Sequence, residues 1–128
     1  MHFLHLTLRV ADIDRSLAFY RDFVGLTVEH EERTDQWAIA FLSEQKGGTQ
    51  IELVQIAGDS PAQASGLTVC FECKDAKNLH ELAQAKNLNP SPIRQPDRSM
   101  LYFYVYDPDG ISIEFKELND HHWSRQNV

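Results

Sequence analysis

The chain has no apolar run near the ~18 residues that a membrane-spanning helix needs, and no charged-then-apolar leader precedes its first strand-like segment. A cytoplasmic, unprocessed protein with no membrane partner is the expectation. Positive charge is short as well: 12 Lys and Arg stand against 19 Asp and Glu, a net charge of −7. A phosphate backbone would meet no basic face, so nucleic acid is excluded as a partner. Cysteine is limited to Cys70 and Cys73. Their C-x-x-C spacing invites a redox or zinc reading, but strand residues three apart leave opposite faces, so the thiols are expected reduced and separate.

What is present is ordinary for a globular domain: 128 residues, 42% hydrophobic and 24% charged, enough for one sizeable core. The opening stretch 3-FLHLTLRV-10 alternates without a slip. As a strand it turns Leu4, Leu6, Leu8 and Val10 to one face and His5, Thr7 and Arg9 to the other. Next, 12-DIDRSLAFYRDFVGL-26 reads as a helix capped by Asp12 or Asp14. Its Ile13, Leu17, Tyr20 and Val24 recur at helical spacing, and Gly25 ends it. Strand-like runs follow near 27–33, 37–43 and 49–56.

The one small-residue linker, 58-GDSPAQASG-66, lies near the middle, and beyond it the order restarts. A strand over 67–73 and a helix over 76–86 opened by Asp75 lead to strands near 91–95, 100–106 and 111–117. A shift of 62 residues matches Leu26 to Leu88, Phe41 to Phe103, Gly48 to Gly110, Ile51 to Ile113 and Glu52 to Glu114. The first strand needs a shift of 63, which keeps apolar on apolar and sets His5 against Thr68. This places a one-residue difference in the helical segment. The reading is one α+β domain over 1–128, built from tandem βαβββ modules at 3–57 and 66–118. A linker over 58–65 joins them, and a tail over 119–128 follows.

Pro108-Asp109-Gly110 suits a three-residue hairpin loop, which sets Tyr104 opposite Glu114 and Tyr102 opposite Lys116. Leu101, Phe103, Val105, Ile113 and Phe115 then face the helix. By the shift of 62, Trp37, Ile39, Phe41, Ile51 and Leu53 are expected under the first helix, with Ala38, Ala40, Gln50 and Glu52 away from it. The faces left open carry His5, Thr7, Arg9 and Glu52 in one module and Thr68, Cys70, Tyr102, Tyr104 and Glu114 in the other. Curled mixed sheets around a polar cavity explain this set better than solvent does.

The tandem modules, the opening LH-x-x-L-R-V-x-D-x-x-x-S-L-x-F-Y, the IEL at 51–53 and the closing DPDG-x-x-IE resemble the vicinal-oxygen-chelate superfamily. Within it the likeness is to glyoxalase I and the glyoxalase/bleomycin-resistance proteins. The resemblance spans residues 3 to about 117 and implies their fold of curled sheets around a cavity. It also implies a His-Glu-His-Glu metal set. Carried over, His5, Glu52 and Glu114 are the ligands, and Thr68 replaces the second histidine. One imidazole and two carboxylates suit an open-coordinate divalent first-row ion (Ni, Zn, Co, Mn or Fe).

The function implied is a glyoxalase I-like lyase or isomerase. The metal chelates two neighbouring oxygens of a small substrate and stabilises an enediolate, and Glu114 or Glu52 shuttles the proton. Thr7, Arg9, Thr68, Tyr102 and Tyr104 would line the pocket, with Arg9 meeting an anionic substrate or pairing with Glu72. The alternative is a metal-free, non-catalytic protein that sequesters a small molecule. A twofold homodimer is expected in either case. His80 reads as a surface residue, and the tail carrying His121 and His122 as a frayed end.

Overall fold

The computed structural model describes residues 1–61 and 64–125. The chain divides into two compact units, Met1–Gln63 and Ala64–Val128. Part of the expected linker (Ala62, Gln63) and the last three tail residues lie outside the described residues. No helix among those described is long and apolar enough to cross a membrane.

Each unit has the order βαβββ. The first holds β1 (His5–Arg9), α1 (Ile13–Leu17) running into a π-helix (Ala18–Phe23), β2 (Thr27–Arg33), β3 (Trp37–Ser43) and β4 (Gln50–Ile56). The second holds β5 (Thr68–Glu72), α2 (Ala76–Ala85), β6 (Arg94–Asp97), β7 (Met100–Tyr106) and β8 (Ser112–Leu118), then a 3-10 turn at Trp123–Arg125. The sheets run β1-β4-β3-β2 and β5-β8-β7-β6, each with one parallel pair, β1 with β4 and β5 with β8. Two mixed four-stranded sheets with few helices make this an α+β protein.

Both helices start in the same way. Asp12 caps α1 by accepting from the Asp14 and Arg15 N–H groups, and Asp75 caps α2 by accepting from that of Asn78. A side chain on the last strand takes one more orphan donor in each unit. Ile13 N–H donates to Gln55 Oε1 (2.8 Å), and Ala76 N–H donates to Glu117 Oε1 (2.8 Å). The helix therefore seats on the strand that carries Glu52 or Glu114. In the first unit the π-turn is closed by Val24 N–H donating to Phe19 C=O (2.9 Å). Its wider turn changes the buried set, so Phe19 and Phe23 join Ile13, Leu17 and Tyr20 in the core and Val24 is only half-buried.

The face of β3 is the reverse of that expected. Ala40 pairs with Leu53 and Leu42 with Ile51, and all four are buried beneath α1 along with Ala38. Phe41 pairs instead with Glu52, so Trp37, Ile39 and Phe41 share the open face. Ile51 and Leu53 do face the helix, and Gln50 and Glu52 face away. Phe41 is not the counterpart of Phe103. Phe103 pairs with Phe115 and Val105 with Ile113, so the counterpart of Phe103 is Ala40 and that of Val105 is Leu42. A shift of 63 thus relates β3 to β7, as it relates β1 to β5. The helical segment of the first unit is one residue longer, as expected, since Leu26 N–H reaches back to Tyr20 C=O where Leu88 N–H reaches back one residue less, to Ala83 C=O. The β3–β4 loop of the first unit is one residue longer as well. A slip of one residue reverses every side chain on a strand.

The second unit follows expectation more closely. Phe103, Val105, Ile113 and Phe115 are buried, with the Phe103 and Phe115 rings 5.4 Å apart. The three-residue loop forms between Asp107 and Ile111, with Gly110 at φ +86°. Strand β6 begins at Arg94, later than read, because Pro90 and Pro92 cannot donate to a ladder. Ser91 bridges the gap. Its N–H donates to Tyr104 C=O (2.9 Å) and its hydroxyl accepts from Tyr104 N–H (2.8 Å). His80, expected on the surface, is half-buried. Its Nε2 donates to Ser91 C=O (2.9 Å), and its ring meets Phe103 edge-on at 5.1 Å. The tail as far as Arg125 is tied down rather than frayed, for Asn119 bonds Ser99 and Arg98, and Arg125 pairs with Glu72.

Candidate functional site

The parity of β1 and its parallel register with β4 bring three polar residues together on the open face of the first sheet. Thr7 stands directly opposite Glu52, and His5 lies one strand position to the side, opposite Gln50. Thr7 Oγ1 donates to Glu52 Oε1 (2.5 Å), and His5 Nε2 lies 3.4 Å from the same oxygen. Across the sheet the row continues through Phe41, whose ring meets the His5 imidazole edge-on at 5.7 Å, to His30. Among the described residues, His5 Nδ1 is buried with no hydrogen-bond partner. A ligating imidazole usually gives that nitrogen an acceptor; here the Phe41 ring edge orients it instead. Ile39 and Trp37 extend the apolar surface away from Glu52.

These distances can be compared with a metal. Two donors ~2.1 Å from one ion, at a right angle or slightly wider, lie about 3.0–3.4 Å apart. The His5 and Glu52 pair, at 3.4 Å, fits that spacing. No three His, Cys, Asp or Glu side chains stand together as a complete cage among the described residues.

In the second unit the corresponding row is Cys70, Glu114 and Tyr104, on β5, β8 and β7. Glu114 is buried, with Lys116 Nζ at 3.8 Å from its carboxylate. Partial desolvation and the Glu114 charge push the Cys70 thiol up to about 11, and the same two causes raise the Tyr104 hydroxyl. Tyr102 packs edge-on against Tyr104 at 5.9 Å. Thr68, at the position of the missing histidine, donates its hydroxyl to Ser112 Oγ (3.1 Å). Cys73 is pushed up to about 11 by desolvation, and both cysteines are free thiols.

Arg9 is paired with Asp59 (3.1 Å), while Glu72 is taken by Arg125. A cleft of about 390 Å³ at the start of α1, lined by Asp12, Asp14, Arg33 and Asp35, includes neither His5 nor Glu52. Phe41 and Ser91 are the residues here that sequence reading missed. A count of the longer 44–49 loop would have exposed the first.

A family model described as the Glyoxalase/Bleomycin resistance protein/Dioxygenase superfamily matches residues 2–115. The chain belongs to this superfamily. Among its relatives is a lactoylglutathione lyase of Haemophilus influenzae, 31% identical over 125 residues that cover 91% of this chain and 93% of the relative. Two solved structures share the superfamily fold. The trypanothione-dependent glyoxalase I of Leishmania major superposes with a TM-score of 0.73 at 27% identity, covering 94% of this chain and 87% of that one. TnmS3, an antibiotic-binding protein from Streptomyces, gives a TM-score of 0.73 at 16% identity over 93% and 97% of the two chains. The same fold therefore carries a trypanothione-dependent glyoxalase I and an antibiotic-binding protein, and fold alone does not assign the activity.

Proposed function

We propose that this chain is a glyoxalase I-like lyase acting on a small substrate with neighbouring oxygens. His5 and Glu52 of the first unit would be ligands of a divalent first-row ion, and Glu114, at the matching place in the second, would be a ligand of such an ion too. The observation that carries this reading is the His5 Nε2 to Glu52 Oε1 spacing on the open face of β1 and β4. The 31% identity to a lactoylglutathione lyase supports it independently. When bound, the ion supplies Lewis acidity toward two substrate oxygens and so acidifies the adjoining C–H.

The chain's own groups do the rest. Thr7 donates to Glu52 and fixes the direction of its carboxylate. Phe41 holds the imidazole plane of His5. A glutamate takes the proton from one carbon and returns it to the next, a task for which a carboxylate in a partly desolvated site is suited. Tyr102 and Tyr104 wall the pocket of the second unit. A twofold homodimer in the cytoplasm is part of the same reading.

Metal content and turnover of the methylglyoxal–glutathione hemithioacetal test it together. Protein purified after growth with nickel, zinc, cobalt and manganese should carry one of these ions and turn over. His5→Ala should lose both properties with its circular dichroism unchanged, and Thr68→His should bind metal more tightly. A metal-free, inactive wild type that Thr68→His does not alter rejects the reading. Metal-free small-molecule binding is the second reading. Two observations favour it: Thr68 is engaged with Ser112, and the open face of β3 is apolar through Trp37, Ile39 and Phe41.

A further inference from the structure

We infer that Thr7 is a positioning residue for metal binding: its hydroxyl fixes the Glu52 oxygen that stands at ligand spacing from His5. Ion affinity then depends on a residue that touches no ion. This rests on the metal-dependent reading above. Thr7 and Glu52 are direct partners in the parallel register of β1 and β4, and Thr7 Oγ1 donates to Glu52 Oε1 over 2.5 Å. That length belongs to a strong bond between a hydroxyl and an ionised carboxylate. His5 Nε2 lies 3.4 Å from the same oxygen, beyond an ordinary hydrogen bond. The Thr7 bond leaves Oε1 its charge and a second lone pair, and the imidazole does not take it.

Thr7 suits the task. A β-branched side chain is stiff at χ1, and a strand held along its length by β4 carries the hydroxyl to the carboxylate. Among the described residues, Glu52 makes no other hydrogen bond, and the His5 imidazole is held by the Phe41 ring edge with Nδ1 unpartnered. Ligating side chains are ordinarily steadied by hydrogen bonds from the groups behind them, and losing such a bond weakens metal binding. For this pair the Thr7 bond is the one support of that kind. The internal repeat supplies the contrast. Cys70 holds the place of Thr7, opposite Glu114, but its thiol contacts its own strand at the Phe71 C=O (3.9 Å). A thiol is the weaker donor, so this anchoring belongs to the first unit.

The test removes the hydroxyl alone. Thr7→Val keeps the shape and Thr7→Ser keeps the donor, and Thr7 is exposed, so neither disturbs the core. The affinities of the full chain for Ni²⁺ and Co²⁺ are measured by competition with a chromophoric chelator, beside the visible absorption of the Co²⁺ form. Thr7→Val should bind both ions roughly ten- to a hundredfold more weakly and shift the Co²⁺ bands. Thr7→Ser should bind nearly as tightly as wild type and return the wild-type spectrum. A merely structural hydroxyl would change thermal unfolding and leave the affinities and the bands in place. Equal binding by Thr7→Val, or a loss that Thr7→Ser shares, overturns this assignment alone. A wild type that takes up neither ion overturns the metal-dependent reading and this assignment with it.

Discussion

Replacing Ala40 by leucine tests the face of β3 that sets Phe41 beside Glu52. Ala40 is 0% exposed, opposite Leu53 and beneath α1, so three added carbons have no room. Overpacking of this kind costs about 1–3 kcal/mol. With ~2.1 cal/mol/K of unfolding entropy per residue over the 128 residues, each kcal/mol lowers Tm by roughly 4 °C. A fall of about 4–11 °C is expected by circular dichroism or calorimetry. Phe41→Ala is the paired measurement. On the open face the ring is only half-buried, so its loss should cost about 1–1.5 kcal/mol, about half of a full burial. If β3 faced the other way the two results would exchange. Ala40→Leu would then stay within ~0.5 kcal/mol and Phe41→Ala would cost about 3–5 kcal/mol. That pair of outcomes would refute the register that sets Phe41 beside Glu52 and His5.

Asp107→Ala should destabilise by about 3 kcal/mol, because the buried Asp107 carboxylate accepts from the Asp109 and Ile111 N–H groups at 2.9 Å each. Asp107→Asn keeps an acceptor and should recover most of the loss in a urea titration. Cys70 and Cys73 are pushed to about 11 from the ordinary 9.0, so between these pH values the folded chain retains protons that the unfolded chain has released. Stability should therefore fall as pH rises from 9 to 11, and Cys70→Ser with Cys73→Ser should flatten that slope in urea midpoints taken at pH 8 and 10. Light scattering at micromolar concentration should return the mass of a twofold dimer, and a monomer there rejects that part of the proposal.

The amino-acid sequence by itself determined the tandem βαβββ plan, because turn chemistry and hydrophobic period are local. Asp75 capped α2 as read, and Pro108-Asp109-Gly110 closed a loop of known length, so Tyr104 fell opposite Glu114 without further information. Strict alternation put His5 and Thr7 on the face opposite Leu8. The tertiary structure alone decided the face of β3. The 44–49 loop has no turn of obligatory length, and with a side-chain period of two, one uncounted residue inverts the strand. Packing chose the inversion that sets small Ala38 and Ala40 beneath α1. Contacts between residues far apart in sequence were likewise invisible to any local pattern. They paired Arg9 with Asp59, gave Ser91 to Tyr104 and seated His80 against Phe103. A side chain's partner is whatever the folded chain brings to it, and spacing along one strand specifies only the direction in which it looks.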